Sequence, residues 1–594
     1  MSQARAKYMK TLAKNGPVII ALDDCRANIF ISREPLPIVD YSRNRPTRRI
    51  FFTLTAILFV ASALIGQVPD KQKVIAGAER AFEKAAKAVV MPAPGCAVGV
   101  SLNGESVLEK AFGLAEMEHN VPNTPQTIFE SGSVAKQFTA SALVLLQQDG
   151  KLNIDDPVKK YIPELPDYGS PLTVRHMLNH TSGIRDWFAV RALSGEGAGE
   201  HIVTQQMIFD TIVRQKGLDF KPGAEYSYSN SGYQLAAMIV ERVSKQKFAD
   251  FVAERIFKPL GMKNTGYRDD FQRITPGRAQ AYSKSGDGPW RLNMPMMTAH
   301  GGGGMLTTIG DWLRWNAMLD AKAWNASLVD SLETQGVLNN GQKISYALGL
   351  TVGSYKGNKQ VAHGGATAGY RTFLARFPDN DLSIAVMCNG TAPDSNALAN
   401  SIADEILGPF PVPPQAANTD KLPIQGPERY LGLWKNERNR TATRISLNNG
   451  ELRFGNTPLR AMPDGSMMLG ANKLTFTYDV AGKPTLFDAT GGGDTIRFSA
   501  QADWQPSASD LAAFNGDWYS DEAEAKVKFS ADGQNASLSI RYSPKLVLKP
   551  LYKDCFTDGE GQLVWFDRDS SSKPITMHIG SGRMRDMPFV RTGK

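Results

Sequence analysis

Phe129-Glu130-Ser131-Gly132-Ser133-Val134-Ala135-Lys136-Gln137-Phe138 sets a Ser-x-x-Lys pair at the head of a long apolar run. Residues three apart on an α-helix share a face, so the Lys136 amine reaches the Ser133 hydroxyl. A free serine is a weak nucleophile and needs a neighbouring base. With Ser133 in the first turn, the unpaired N–H groups and positive end of the helix also favour an oxyanion there. Phe138, Ala142, Leu145 and Leu146 recur at near-helical spacing, and Gly150 follows as a C-terminal cap.

The pattern is weak alone, since Ser244 with Lys247 and Ser570 with Lys573 match it in the same chain. Its company sets Ser133 apart. Downstream, a Lys221-Pro222-Gly223 turn leads to Tyr228-Ser229-Asn230, and Val361-Ala362 leads to His363-Gly364-Gly365-Ala366. In this order the three motifs resemble the serine β-lactamase and penicillin-binding-protein superfamily, in its class C-like branch. Pro94 to Val100, Leu172 to Ile184, and Gly301-Gly302-Gly303-Gly304-Met305 with Asp311 and Trp315 extend the likeness over residues 75–408.

The resemblance implies an α+β domain, an antiparallel sheet flanked by helices plus an all-helical region. It implies a reaction too. Ser133 attacks a carbonyl to give an acyl-enzyme, and Lys136 and Tyr228 move the proton to the leaving group and then activate water. Asn230 holds the substrate amide and the Lys136 side chain, and the amides of Ser133 and Ala366 form the oxyanion hole. Lys136 acts as base only if burial and a cationic neighbour lower its pKa.

The chain departs from the family's third motif, where His363 stands for a lysine. A histidine near its unperturbed pKa carries only partial charge at neutral pH. Ordinary β-lactamase activity is thereby in doubt, because the lysine helps hold a substrate carboxylate. His363, Gly364, Gly365 and Ala366 form the substrate-binding strand, whose glycines leave room for the ligand.

Other clusters have plainer readings. Gly301 to Gly304 lack the Gly-Lys-Ser/Thr ending of a phosphate loop and read as close backbone approach at the site. His176 and His180 have metal-ligand spacing, but no glutamate follows His176, so a structural pair is expected and neither metal nor cofactor is assigned. Tyr226, Tyr233 and Tyr370 either line the groove or pack. Cys96 and Cys388 fall in apolar strand-like runs and read as buried thiols; with Cys25 and Cys555 they make no disulfide framework.

A length of 594 residues suggests two to four domains. The formal charge of +8 comes without a basic run interleaved with aromatics, so no nucleic-acid partner is expected. Arg43, Arg45, Arg48 and Arg49 precede an uncharged stretch, residues 50–68, followed within it by Ala61-Ser62-Ala63. This reads as an export signal within an extension covering residues 1–68, or as a membrane anchor, with a periplasmic or extracellular location expected. The unusual residues 1–46 suggest an upstream start chosen in error; a mitochondrial presequence is a minor alternative, weakened by Asp23 and Asp24.

Ser395 to Leu407 reads as a closing helix before a proline-rich linker at 408–414. Beyond it Tyr430-Leu-Gly432-Leu-Trp434 recurs as Phe514-Asn-Gly516-Asp-Trp518, each ahead of hairpin signals at Asn449-Gly450 and Asp532-Gly533. Two small antiparallel barrels, at 429–500 and 510–594, are expected, and their openings resemble lipocalin-type barrels. A class C-like domain with two such barrels is similar to the bacterial D-aminopeptidase architecture, in which a barrel loop enters the site to bind a free amine; no equivalent loop is legible here. Three readings stay open: an amide hydrolase acting on peptides with D-residues or cell-wall fragments, a carboxylesterase, and a noncatalytic scaffold. The first two take a small peptide, amide or ester substrate.

Overall fold

The computed structural model describes residues 19–23, 26–30, 68–196, 201–410, 424–464, 466–533 and 535–592. The export-like segment lies outside the described residues except for Val68, as does the linker beyond Phe410. Ile19–Asp23 and Arg26–Phe30 pair as an antiparallel hairpin. Among the described residues no helix is long and apolar enough to cross a membrane.

The large unit is built on a six-stranded antiparallel sheet of β1 (Cys96–Leu102), β2 (Glu105–Phe112), β3 (Thr351–Tyr355), β4 (Asn358–Thr367), β5 (Tyr370–Phe377) and β6 (Leu382–Cys388), in the order β3-β4-β5-β6-β1-β2. Central strands covered on both faces read as continuous apolar runs, and β1 and β6 are buried throughout. Their alternation splits the core in two. Val98, Val100, Ile384 and Val386 face the helices α1 (Lys71–Ala88) and α5 (Ser395–Leu407), where they meet Val74, Phe82, Leu398, Ile402 and Ile406. Burial of each large aliphatic chain there contributes about 1.5–3 kcal/mol before entropy is counted. Ala97, Ala385 and Met387 face the other way, onto α4 (Ile309–Ala321) and the helical region.

Cys96 and Cys388 are directly paired across β1 and β6 and are joined by a disulfide. The expectation of two buried thiols is thus corrected. Their separation of 292 residues in sequence hid a register that sets the two Cα atoms 4.0 Å apart.

The helical region holds α2 (Lys136–Gln148) and α3 (Asn230–Ser244), both packed into the larger core cluster. A short strand, Phe129–Glu130, leads into α2 and pairs with Met305–Thr307, so the motif's entry is fixed by a sheet and not by helix propensity.

Two closed eight-stranded antiparallel barrels follow, with strands from 432 to 501 and from 516 to 592. The repeated opening has a repeated bond: Trp434 Nε1 donates to Tyr430 O at 3.0 Å, and Trp518 Nε1 to Phe514 O at 3.3 Å. The second barrel is seated on the helical region. Val190 and Leu193 share its apolar core with Trp518 and Phe589, and Arg185 pairs with Glu522 at 2.8 Å in a buried contact.

Candidate active site

Three elements converge on Ser133. It sits in the 3-10 turn Gly132–Ala135, one turn before α2 begins at Lys136, and not inside the α-helix proper. Ser131 N donates to Met305 O at 2.8 Å, and Thr372 Oγ1 on β5 donates to Ser131 O at 2.8 Å. The turn is therefore held by Met305–Thr307 and by β5, and two glycines permit its close approach to β4. Gly132 has φ +52, and a Cβ there would lie 2.6 Å from Ala366 N. A Cβ at Gly365 would lie 2.1 Å from Ser131 O. Gly365 is thus required by the nucleophile's turn, whereas Gly364 has only ordinary contacts around its missing Cβ. The amide of Ala366 lies against the residue preceding Ser133, as an oxyanion hole built from these two amides needs.

Lys136 is fully buried. Its Nζ lies 3.1 Å from Ser133 Oγ, 2.9 Å from Asn230 Oδ1 and 2.7 Å from Gly302 O. A neutral amine has two hydrogens and a lone pair. With the hydrogens given to Asn230 and Gly302, the lone pair is left for the serine hydroxyl. Burial lowers the Lys136 pKa to about 7, opposed by the Asp186 carboxylate and assisted by the positive charge of Arg583. Because the unprotonated form is the base, kcat/KM should fall as pH drops through about 7 and level off above it. A limb near the ordinary lysine value of 10.5 would contradict this assignment.

Tyr228 completes the group. Its ring lies 5.0 Å from Lys136 Nζ. Burial raises its pKa, and the neighbouring Ser133 hydroxyl opposes the rise. The phenol oxygen is buried without a formed hydrogen bond. A neutral phenol so placed keeps its proton for a group arriving beside Ser133.

Asn230 opens α3, whose N-cap is Ser229. It is held from behind, since its N and Nδ2 donate to Asp186 Oδ2 at 2.7 and 2.9 Å.

His363 departs from its expected state. Burial first, and then the charge on Lys136, lower its pKa to about 4, so the ring is uncharged at neutral pH and not partly charged. Nδ1 faces Gly364 O at 2.6 Å and therefore carries the proton, which makes Nε2 the acceptor for the Tyr346 hydroxyl at 2.9 Å. The ring borders the cavity with its nitrogens already engaged.

Ser133, Tyr228, Asn230, His363, Gly364, Gly365 and Ala366 all line one cavity of about 750 Å³. Lys136 lies just beneath it. Tyr226, Tyr233 and Tyr370 do not line it: Tyr233 and Tyr370 are fully buried, the first donating to Leu178 O at 2.8 Å. The helix carrying His176 ends at Leu178, so His180 lies beyond it, its Nδ1 accepting from Ser229 N at 3.2 Å. Among the described residues no cluster of histidine, cysteine, aspartate and glutamate could hold a metal.

Sequence reasoning missed three residues here. Asp186 stands two positions past the Leu172 to Ile184 motif, and its place before Trp187-Phe188 as a helix cap was the available signal. Tyr346 lies in a loop with no local pattern. Arg583 sits in the tight turn between strands Pro574–Ser581 and Met584–Thr592 of the second barrel, and only the tertiary fold brings it to the cavity.

A serine hydroxyl against a buried, lowered-pKa lysine and a proton-bearing tyrosine defines a serine hydrolase. A family profile described as Beta-lactamase matches residues 83–408, more than half of the chain, and the chain belongs to that family. The D-aminopeptidase of Brucella ovis is 29% identical over 521 residues, covering 84% of this chain and 96% of that protein. Penicillin-binding protein 4* of Bacillus subtilis is 29% identical over 375 residues, 59% of this chain and 81% of its own. The octameric penicillin-binding protein homologue from Pyrococcus abyssi shares the fold, with a TM-score of 0.50 at 19% identity over 88% of this chain and 100% of that one.

Proposed function

We propose that this serine hydrolase cleaves amide bonds in short peptides containing D-amino acids, through an acyl-enzyme on Ser133. The observation that carries the reading is the environment of Lys136, buried among two acceptors with Ser133 Oγ as its third neighbour. Ser133 Oγ attacks the carbonyl as Lys136 takes its proton. The oxyanion meets the amides of Ser133 and Ala366. The proton passes to the leaving amine through Tyr228, whose free hydroxyl faces the serine. Water then enters, loses a proton to the same pair and releases the acid.

The D-preference is supported by likeness to a D-aminopeptidase across both the hydrolase domain and the barrels. Initial rates on D-alanyl and L-alanyl p-nitroanilide, beside p-nitrophenyl acetate, test it. The D-anilide should be favoured by at least about tenfold in kcat/KM. Equal rates on the two anilides would remove the stereochemical claim. Ester cleavage with neither anilide touched would move the function to a carboxylesterase, which the same neutral His363 also suits.

A further inference from the structure

Arg583 reaches the cavity on a clamped turn. Its carbonyl accepts from Asp186 N at 3.0 Å. Two residues on, Arg585 N donates to Asp219 Oδ1 at 2.9 Å, and the Arg585 guanidinium pairs with Glu225 at 2.9 Å. Glu225 in turn meets Arg438 of the first barrel at 3.3 Å. Backbone and ion-pair contacts thus hold the turn, while the Arg583 side chain itself stays exposed. Its guanidinium lies over the Tyr228 ring, 4.9 Å from the centroid, and among the described residues it has no carboxylate partner.

The other charged side chains of the cavity wall each have a partner within the protein. Glu130 is held by Arg268 at 2.9 Å and by Arg278 at 3.2 Å. Asp394 caps α5 through Ala397 N at 2.7 Å. Arg371 donates to Ala368 O and Tyr370 O at 2.8 and 2.7 Å. His363 is neutral, so the third motif offers no cation. Arg583 lies over the Tyr228 ring, and among the described residues its side chain has no hydrogen-bond or ion-pair partner. A guanidinium has five N–H donors and no acceptor, so it cannot receive a substrate ammonium, whereas a carboxylate matches its fork.

We infer that Arg583 is a specificity-determining residue that receives a free carboxylate on the leaving side of the scissile amide. The side follows from Tyr228: the residue that protonates the departing nitrogen lies under the guanidinium, so the group nearest Arg583 belongs to the amino acid being released. The preferred substrates are therefore short peptides whose last residue, carrying its own α-carboxylate, is the one cleaved off. This deepens the amide-hydrolase reading and rests on it for the position of the scissile bond.

The test separates the two claims by measuring binding without turnover. The full chain carrying Ser133→Ala is titrated calorimetrically with D-alanyl-D-alanine and with D-alanyl-D-alaninamide, which share the free amine and differ in the carboxylate. The acid should bind at least about tenfold more tightly than the amide. Adding Arg583→Ala should bring the ratio to within about threefold, and Arg583→Glu should reverse it, while Arg583→Lys keeps part of it as a point charge without the fork. The side chain is exposed and its backbone contacts survive substitution, so thermal melts of the variants should match the parent. A ratio near one in the parent, no detectable binding of the acid, or a ratio indifferent to Arg583→Ala overturns the inference. Turnover of the acid by the Ser133 enzyme is read separately: tight, Arg583-dependent binding with no cleavage contradicts the amide-hydrolase reading and leaves the carboxylate receptor standing.

Discussion

Ser133→Ala should lower hydrolysis of every substrate by at least about 10⁴-fold while the protein stays folded. The loss is large because nucleophile and base act as a unit: without Oγ, the lone pair of Lys136 has nothing to activate. The fold survives for an equally local reason. Ser133 Oγ contributes the 3.1 Å contact to Lys136, whose Nζ keeps Asn230 Oδ1 and Gly302 O. A neutral amine with two hydrogens and two remaining acceptors is satisfied, so stability should change by no more than about 1 kcal/mol. Rates on an activated ester and on a D-alanyl amide, with a thermal melt of each protein, check both halves. Retained activity with an intact fold would remove Ser133 from the mechanism.

Tyr228→Phe should divide the substrates by leaving group. Amide cleavage needs a proton on the departing nitrogen, so loss of the phenol should cost about 10²–10⁴-fold in kcat. An activated phenolate leaves unprotonated, and its ester should lose less than about tenfold. Stability should hold or rise slightly, because the variant deletes a buried hydroxyl that has no hydrogen-bond partner. Equal losses on amide and ester would mean that Tyr228 does not deliver the leaving-group proton.

Much of the fold was legible because it is written in local periodicity. The apolar runs at Ala97 to Val100 and Leu382 to Met387 mark strands buried on both faces, and Leu398, Ile402 and Ile406 mark the closing helix, whose bounds at Ser395–Leu407 agree with the reading. The Tyr/Phe-x-Gly-x-Trp repeat marked both barrels because each opening makes the same indole-to-carbonyl bond. The Ser-x-x-Lys, Tyr-x-Asn and His-Gly-Gly motifs were legible for a related reason: each sets its side chains within a few residues of one another, at the entry of α2, at the entry of α3 and on β4.

What sequence withheld depends on contacts between elements. The Cys96–Cys388 bond needs the β1–β6 register, which no spacing reveals. The charge of His363 depends on burial and on Lys136 beneath it, and a residue read alone carries its solution pKa. Asp186 and Arg583 meet through a backbone hydrogen bond between the helical region and the second barrel, far apart in sequence yet adjacent in space. The glycines of the third motif were assigned to substrate access, whereas Gly365 first makes room for Ser131 O.

Hydrolysis through Ser133 passes through a covalent acyl-enzyme, which acid quenching during turnover of an activated ester should trap. Intact mass and peptide mapping should find one acyl group on the peptide containing Ser133 in the native protein and none at that position in Ser133→Ala. An acyl group on another residue, or labelling undiminished by the substitution, would contradict the account.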